Sequence, residues 1–370
     1  MVVKKLKRED VLAACTGGAV LASGGGGFYE HGLEMGYAAV AINEVPLLSL
    51  NELEEDDIVL TQTAIGAPAG TTDWQMLGRD YIKAVQLILE KHPHPEKIKG
   101  LMTPQNGKSS STNGWLAAAA LGLAVVDATG DLRAHPTGKM GNMGVVANDL
   151  SYQTIQAVSG GREDTGRHIE LVVTGTSAYT SKILRIASDL SGGFIAAARN
   201  PLTVSYLKEH AVVGGLSYAL DLGYEILSHQ GKSGPEIIEK IAAFTSGEIL
   251  GRGKVIKKDI IYTDEAFDIG QVHIKVGHST LIVHVQNEYM AVDTKSGKRL
   301  ATYPDVISLF RTADAHPLST NEIELDQEVT LFKIDKSQFP LSSGVTDPSV
   351  YPEVEEALGI ELYRYAFPGE

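Results

Sequence analysis

The stretch Ile58-Val59-Leu60-Thr61-Gln62-Thr63 decides the fold, because it begins a regular alternation of strands and helices. An apolar run that ends in polar residues is typical of a buried strand with polar groups at its carboxyl end. The alternation continues with a helix over Arg79–Lys91, a strand over Ile98–Met102, a helix over Asn113–Leu121 and a strand over Ala124–Asp127. Strands that alternate with helices predict a parallel sheet covered by helices.

Two helices separated by a glycine run are predicted before this alternation. Asp10 is a candidate N-cap for a helix that continues to about Leu21, and a second helix covers Glu30–Ala41. The run between them consists of Gly24, Gly25, Gly26 and Gly27. Such a run loses much backbone entropy on folding, but its bare N–H groups can surround an anion or a developing oxyanion. We therefore predict that the four glycines line a binding site, with a flexible turn as the alternative.

The second half of the chain changes in pattern. It begins with a predicted strand over His168–Gly175 and predicted helices over Lys182–Leu190 and Leu202–Leu227. From Glu248 onward, short alternating runs predict antiparallel strands. The expected fold class is α/β, with an N-terminal parallel-sheet α/β domain over residues 1–165. A C-terminal domain over residues 166–370 contains an antiparallel β-rich portion at about 248–336.

Composition and charge exclude several classes of function. The 370-residue chain has a formal net charge of −14 and 43% hydrophobic residues. This charge disfavours nucleic acid and anionic membranes as partners, and no apolar stretch approaches the roughly 20 residues of a membrane span. The N-terminal residues lack the apolar region of a signal peptide. Because Cys15 is the single cysteine, an intrachain disulfide is excluded, and we expect a cytoplasmic protein.

Three loops follow the carboxyl ends of predicted strands, which is where ligands collect in α/β sheets. They span Thr61–Gly70, Thr103–Asn113 and Asp127–Gly141. The polar, uncharged candidates for binding the N–H and C=O groups of a small cyclic amide are Gln62, Thr63, Gln105, Asn106, Thr112 and Asn113. For Thr112 and Asn113, an N-cap role at the start of the following helix is the alternative.

An ordered set of motifs resembles one known family over nearly the whole chain. The motifs are Gly24–Gly27, Thr61–Pro68, Val126–Pro136, Gln286–Glu288 and Pro304–Ile307. In this order they resemble the S-methyl thiohydantoin desulfurase family. The resemblance implies an N-terminal α/β domain and a C-terminal domain with a β-rich portion. It also implies hydrolysis at a ring carbon that carries a methylthio group, which releases methanethiol and leaves a hydantoin.

Such a hydrolysis requires an activated water and a proton for the departing thiolate. Asp127 and Asp131 flank a predicted turn, and either carboxylate is a candidate base, with Asx-type capping as the alternative for one of them. His135 is a candidate general acid because histidine titrates near neutrality, with a turn role as the alternative. Arg133 is a candidate clamp for an acidic ring substituent, with a structural ion pair to one of the two aspartates as the alternative.

Other chemistries have weaker support. Cys15 lies in a predicted helix with no adjacent histidine, which favours a buried core thiol over a nucleophile. The sequence contains no HExxH motif and no spaced Cys/His set, so we expect no metal and no other cofactor. Gly107-Lys108-Ser109 imitates the end of a P-loop, but Met102 occupies the position of the required earlier glycine.

We therefore expect a hydrolase that acts on a five-membered cyclic amide or thioimidate, with an S-methyl thiohydantoin that bears an acidic side chain as the expected substrate. One alternative is a ring amidohydrolase of the hydantoinase or oxoprolinase type. The other is a non-catalytic subunit that binds such rings for a partner hydrolase. We expect a small-molecule substrate, no nucleic acid or membrane partner, and a homo-oligomer.

Overall fold

The computed structural model describes residues 4–66, 76–145, 152–263 and 267–369, and within these ranges the strands form two sheets. The first sheet contains β1 (Lys4–Leu6), β2 (Val45–Leu48), β3 (Ile58–Gly66), β4 (Ile98–Gln105), β5 (Ala124–Asp131), β6 (Thr154–Gly160), β7 (Ile169–Gly175), β8 (Phe194–Thr203) and β9 (Val212–Val213). Its strand order is β1-β2-β5-β4-β3-β8-β6-β7, and β9 pairs with β5.

The centre of the first sheet is parallel. Strand β5 pairs in parallel with β2 and β4, and β4 pairs in parallel with β3. This confirms the parallel sheet that the alternation over residues 58–127 predicts. The other strands pair antiparallel, β1 with β2, β8 with β3 and β6, β6 with β7, and β9 with β5, so the complete sheet is mixed. The domain boundary near residue 165 stays a prediction, and this sheet itself continues to Val213.

The second sheet is antiparallel throughout, as predicted for the residues from Glu248 onward. It contains β10 (Glu248–Tyr262), β11 (Asp268–Val276), β12 (Ser279–Gln286), β13 (Glu288–Thr294), β14 (Arg299–Thr302), β15 (Val306–Arg311), β16 (His316–Pro317) and β17 (Glu328–Ile334). Its strand order is β14-β13-β12-β11-β10-β17-β15-β16.

The helices cover the first sheet and link it to the second. They are α1 (Arg8–Leu21), α2 (Tyr29–Ile42), α3 (Gly78–Lys91), α4 (Trp115–Leu121), α5 (Ser177–Leu190), α6 (Val204–His210), α7 (Gly215–Ser228), α8 (Gly234–Thr245), α9 (Ser343–Thr346), α10 (Pro352–Leu358) and α11 (Tyr363–Ala366). Helix α3 shows why they form, because Tyr81, Ala84, Val85 and Ile88 recur at helical spacing and are all buried. Within the described ranges, every helix is too short or too polar to cross a bilayer.

Two local predictions are wrong in detail. The N-cap residue of α1 is Lys7, whereas Asp10 lies three positions further on. Its Oδ2 accepts a hydrogen bond from the Lys7 backbone N at 2.8 Å, which satisfies one donor at the start of the helix. The helix predicted over Leu202–Leu227 is divided into α6 and α7, because β9 and the left-handed Gly214, with a φ of 78°, lie between them.

The glycine run joins the two sheets. The Ser23 carbonyl accepts a hydrogen bond from the Tyr289 backbone N at 2.6 Å, and the Gly24 carbonyl accepts one from the Thr320 backbone N at 3.0 Å. These bonds hold the start of β13, and the segment after β16, against the end of α1. The run therefore lies at the junction of the parallel and antiparallel parts of the molecule, where the candidate site is found.

Candidate active site

A polar cavity opens at the carboxyl ends of β3 and β4, between the glycine run and α5. Its wall also includes the turn around residues 135–141, parts of β8, and the residues at the start of β13. This is the edge of the sheet at which α/β proteins bind ligands. Part of the predicted loop Thr61–Gly70, residues 67–70, lies outside the described residues.

Several of the predicted site residues meet in this cavity. They are Gly25, Gly26, Gly27, Thr63, Gln105 and His135. The Gln105 side chain accepts a hydrogen bond through Oε1 from the His135 backbone N at 3.0 Å. Gln105 therefore positions the turn that carries His135, and its side-chain oxygen is already used by the protein. The Thr63 hydroxyl donates to the neighbouring Ala64 carbonyl at 3.2 Å.

Close packing against the second sheet explains the first half of the glycine run. Gly24, whose φ is 88°, lies beside the cavity but does not line it. A Cβ at this position would lie 2.6 Å from the Tyr289 ring. A Cβ on Gly25 would lie 2.1 Å from Oε1 of Glu288. Because a side chain at either position would displace these groups, the run is a closely packed segment.

The second half of the run packs against the loop after β4. Gly26 and Gly27 have φ angles of 75° and 83°, a backbone region that favours glycine. A Cβ on Gly26 would meet the Gly107 Cα at 2.7 Å, and a Cβ on Gly27 would meet the Ser109 Oγ at 2.0 Å. The Gly26 carbonyl accepts a hydrogen bond from the Ser109 backbone N at 3.1 Å. The wall of the cavity here is therefore main chain.

Glu288 is a cavity residue that the sequence did not indicate, as is Arg199. Glu288 lines the cavity at the first position of β13 but is only 4% exposed. Burial raises the pKa of its carboxyl to about 8, although Arg133 and Arg185 oppose the shift. Its Oε2 is buried with no hydrogen-bond partner among the described residues. The motif Gln286–Glu288 was part of the family resemblance and was the signal that could have indicated Glu288. Asn287 in this motif has a φ of 56°.

His135 and Asp131 form a pair at the edge of the cavity. Oδ2 of the fully buried Asp131 lies 3.5 Å from Nδ1 of His135 and accepts a hydrogen bond from the Tyr303 hydroxyl at 2.8 Å. Nδ1 has no hydrogen bond among the described residues, and contacts of this kind often tighten when substrate binds. A Cβ on Gly141 would lie 2.3 Å from Nε2, so Gly141 leaves room for the imidazole ring.

Two arginines, Arg185 and Arg199, contribute positive charge to the cavity wall. Arg199 is 7% exposed, and its Nε and Nη2 donate to Gln156 Oε1 and Ser181 Oγ, both at 2.6 Å. Burial, helped by the neighbouring charge of Arg185, lowers the pKa of the Arg199 guanidinium to about 10. Within the described ranges no carboxylate pairs with Arg199. A buried cation without a carboxylate partner is a favourable place for an anionic ligand group.

The other charged candidates lie outside the cavity. Both carboxylate oxygens of Asp127 accept hydrogen bonds from Ser217, from the backbone N at 2.9 Å and the hydroxyl at 2.6 Å, and so cap the first turn of α7. Arg133 is fully buried and donates to the carbonyls of Asp305 at 2.7 Å and Ala134 at 2.8 Å. Asp127 therefore has the capping role that the sequence left open as its alternative. Arg133 has a structural role, but through backbone carbonyls and not through the predicted ion pair with Asp127 or Asp131.

The remaining predicted binding residues are buried beside the cavity, not in its wall. They are Gln62, Asn106, Thr112 and Asn113. Gln62 Nε2 donates to a carbonyl of α3 at 3.0 Å, and Asn106 Nδ2 donates to the first carbonyl of α7 at 2.8 Å. Thr112 Oγ1 donates to a carbonyl of α2 at 3.0 Å. The N-cap of α4 is Gly114, so neither Thr112 nor Asn113 caps that helix. These side chains therefore connect β3 and the loop after β4 to the surrounding helices by hydrogen bonds.

Alternative chemistry has little support in the described ranges. They contain no group of three or more His, Cys, Asp and Glu side chains placed to hold a metal ion. Cys15 is buried within α1, and burial raises the pKa of its thiol to about 12. Because the thiolate is the nucleophilic form, Cys15 is poorly suited to covalent catalysis.

Comparisons with known proteins agree with this architecture. The model of the S-Me-THD-like N-terminal domain matches residues 9–163, and that of the S-Me-THD-like C-terminal domain matches residues 176–340. A crystal structure of a protein from Chromobacterium violaceum shares the fold, with a TM-score of 0.71, 21% sequence identity and 96% of each chain covered. No curated protein matches the chain. Because the two domain models cover most of its length, the chain belongs to the S-methyl thiohydantoin desulfurase family.

Proposed function

We propose that this protein hydrolyses an S-methyl thiohydantoin that carries an acidic side chain to the corresponding hydantoin and methanethiol. Membership in the family supports the reaction class. The observation that carries the proposal is Glu288, a buried cavity carboxyl with a pKa raised to about 8. A carboxyl with this pKa is largely protonated at neutral pH and can donate a proton to the ring nitrogen of a thioimidate.

In the proposed reaction, His135 activates the water. Its imidazole accepts one proton from water as the oxygen attacks the ring carbon that bears sulfur, while Glu288 protonates the ring nitrogen. Asp131, at 3.5 Å from Nδ1, orients the imidazole and stabilises the imidazolium. Asp131 is in this scheme a positioning residue, whereas the sequence suggested it as one of two candidate bases, with Asp127 as the other.

The second step breaks the carbon–sulfur bond. The hydroxyl of the tetrahedral intermediate returns its proton to the Glu288 carboxylate and becomes the ring carbonyl. The departing methanethiolate takes the proton held by the His135 imidazolium, which is the acid role that the sequence predicted. Water thus supplies the carbonyl oxygen, and both catalytic groups return to their starting protonation states.

Arg199 is the residue that we propose as the clamp for the acidic substituent. Its guanidinium is buried in the cavity wall without a carboxylate partner among the described residues. Arg133, which the sequence suggested for this role, already donates to two backbone carbonyls outside the cavity. A substrate carboxylate would restore to Arg199 the counter-charge that its surroundings lack.

The test is a thiol-release assay on the purified chain, with two S-methyl thiohydantoins that differ only in the presence of a side-chain carboxylate. For the wild type, we expect methanethiol and hydantoin in equal amounts. Glu288→Gln should lower kcat by about two to four orders of magnitude. Arg199→Gln should raise KM for the acidic substrate alone. Ring opening without thiol would indicate a ring amidohydrolase. Substrate binding without turnover would indicate a ring-binding subunit, and either result would overturn the proposal.

A further inference from the structure

Helix α5 has two unlike faces. Its inner face is held in the core, where Leu184 is fully buried. Its outer face carries large apolar side chains in water, with exposed fractions of 71% for Tyr179, 41% for Ile183, 62% for Ile186 and 59% for Leu190. Monomeric proteins seldom expose apolar side chains contiguously, so this α5 stripe (residues 179, 183, 186 and 190) indicates a surface that another molecule covers.

The spacing of the α5 stripe indicates what kind of element covers it. The four residues follow one another at intervals of four, three and four, which is the repeat of the apolar seam between two packed helices. The stripe also occupies nearly the whole of a 14-residue helix. A second helix with the same length and the same spacing matches it, and the same helix of another copy fulfils both conditions.

Two charges beside the stripe favour a second copy and fix its direction. Lys182 and Asp189 are exposed, lie seven residues apart on one flank of the α5 stripe, and have no ion-pair partner in the described ranges. When two α5 helices pack antiparallel, Lys182 of each comes near Asp189 of the other, twice by symmetry. In a parallel pair the facing positions are Thr180 and Ala187, so no opposite charges meet.

We propose that this chain forms a two-fold symmetric dimer through antiparallel packing of α5 on α5. A stable interface buries about 800 Å² on each partner, which is more than one short stripe provides. Ile261 and Tyr262, at the end of β10, are 64% and 39% exposed and extend the apolar area. The guanidinium of Arg185 on α5 lies 4.4 Å from the centre of the Phe267 ring, and the Phe267 carbonyl accepts a hydrogen bond from the Thr263 backbone N at 2.8 Å, so this end of β10 adjoins α5. The dimer would bury the outer face of the helix that supplies Arg185 to the cavity.

The first test measures the mass of the full-length protein in solution by sedimentation equilibrium between nanomolar and micromolar concentrations. We expect a dimer for the wild type, and a dissociation constant raised by on the order of 100-fold or more in Ile186→Glu, because a charge would enter the seam. The matched control is Ile42→Glu, at a residue on α2 that is 57% exposed, and it should remain a dimer. A monomeric wild type at every concentration would overturn the proposal.

The second test exchanges the two charges without changing the apolar seam. Lys182→Glu and Asp189→Lys each place like charges opposite one another, and we expect each to weaken the dimer by on the order of tenfold. The double variant restores opposite charges in reversed order and should recover the wild-type dissociation constant. Equal melting temperatures of the dissociated chains show that folding is intact. A double variant as weak as the single ones would overturn the antiparallel arrangement.

Discussion

Replacing Glu288 with glutamine should stabilise the protein while it removes activity. The ordinary pKa of 4.5 applies to the unfolded chain, whereas burial raises the pKa of Glu288 to about 8 in the folded state. Below pH 4.5 the carboxyl is protonated in both states, so the full stability is present. As the pH rises, the folded state loses about 1.4 kcal/mol of stability per pH unit relative to a neutral side chain, until the folded carboxyl ionises near pH 8.

This pH dependence predicts how much the free energies of unfolding of the variant and the wild type differ. At pH 7 the Glu288→Gln variant should be more stable than the wild type by on the order of 3 kcal/mol, and above pH 8 by on the order of 5 kcal/mol. Urea unfolding of both proteins between pH 5 and pH 9 measures this difference, and kcat is measured on the same samples. A stability difference that does not change with pH would refute the assigned protonation state. An unchanged kcat would remove Glu288 from the chemistry.

Glu322 provides a control with the opposite sign. Burial raises the pKa of this carboxyl, but hydrogen bonds from His316, Lys108 and Ser319 outweigh burial and hold the pKa well below its usual range. The ionised form therefore stabilises the folded state above the ordinary pKa, and this contribution disappears as the pH falls. Glu322→Gln should destabilise the protein at pH 7, and its difference from the wild type should shrink in acid.

Three further predictions concern contacts around the cavity. Gly25→Ala should lower kcat, because its Cβ would displace the Glu288 carboxyl, and a wild-type kcat would show that the carboxyl position is unimportant. Arg133→Gln should lower Tm, because it leaves two buried carbonyls without a donor, and it should affect the turnover of acidic and uncharged substrates equally. A KM raised for the acidic substrate alone would instead support a clamp role for Arg133. Asp127→Asn should lower the free energy of unfolding by about 1 kcal/mol and leave kcat within twofold, whereas a large loss of kcat would place the base there.

Local sequence patterns predicted the fold because they determine which residues become buried. The alternation from Ile58 to Asp127 places β3, β4 and β5 in a parallel arrangement, since each is followed or preceded by a helix that can cross the sheet. The pattern could not predict that β8 would pair antiparallel with β3, because that pairing joins distant residues, from Gly66 with Phe194 to Ile58 with Thr203. Long-range pairing depends on tertiary packing, and local patterns carry little information about it.

Sequence patterns indicated the main-chain part of the candidate site but not the part that distant side chains form. The glycine run and the turn that carries His135 follow from backbone requirements that the sequence displays. Arg199 lies in the middle of a strand of ordinary composition, and its proposed role depends on burial beside Gln156 and on the absence of a carboxylate partner among the described residues. For Arg133, charge and position in a loop suggested a ligand clamp, but its two backbone acceptors fully explain its place in the core.

The same desolvation explains why the cavity is costly for the fold and useful for the chemistry. Glu288 and Arg199 both have pKa values shifted toward the neutral form, and among the described residues neither has an opposite charge in direct contact. A purely structural core would pair them or replace them with apolar residues, because unpaired buried ionisable groups destabilise the folded state. Instead, the absence of a side chain at Gly25 leaves room for the Glu288 carboxyl, and its absence at Gly138 leaves room for the Arg199 guanidinium. A ring that has a basic nitrogen and carries a side-chain carboxylate would complement both groups, and for this reason we propose an acidic S-methyl thiohydantoin and not an uncharged hydantoin as the substrate.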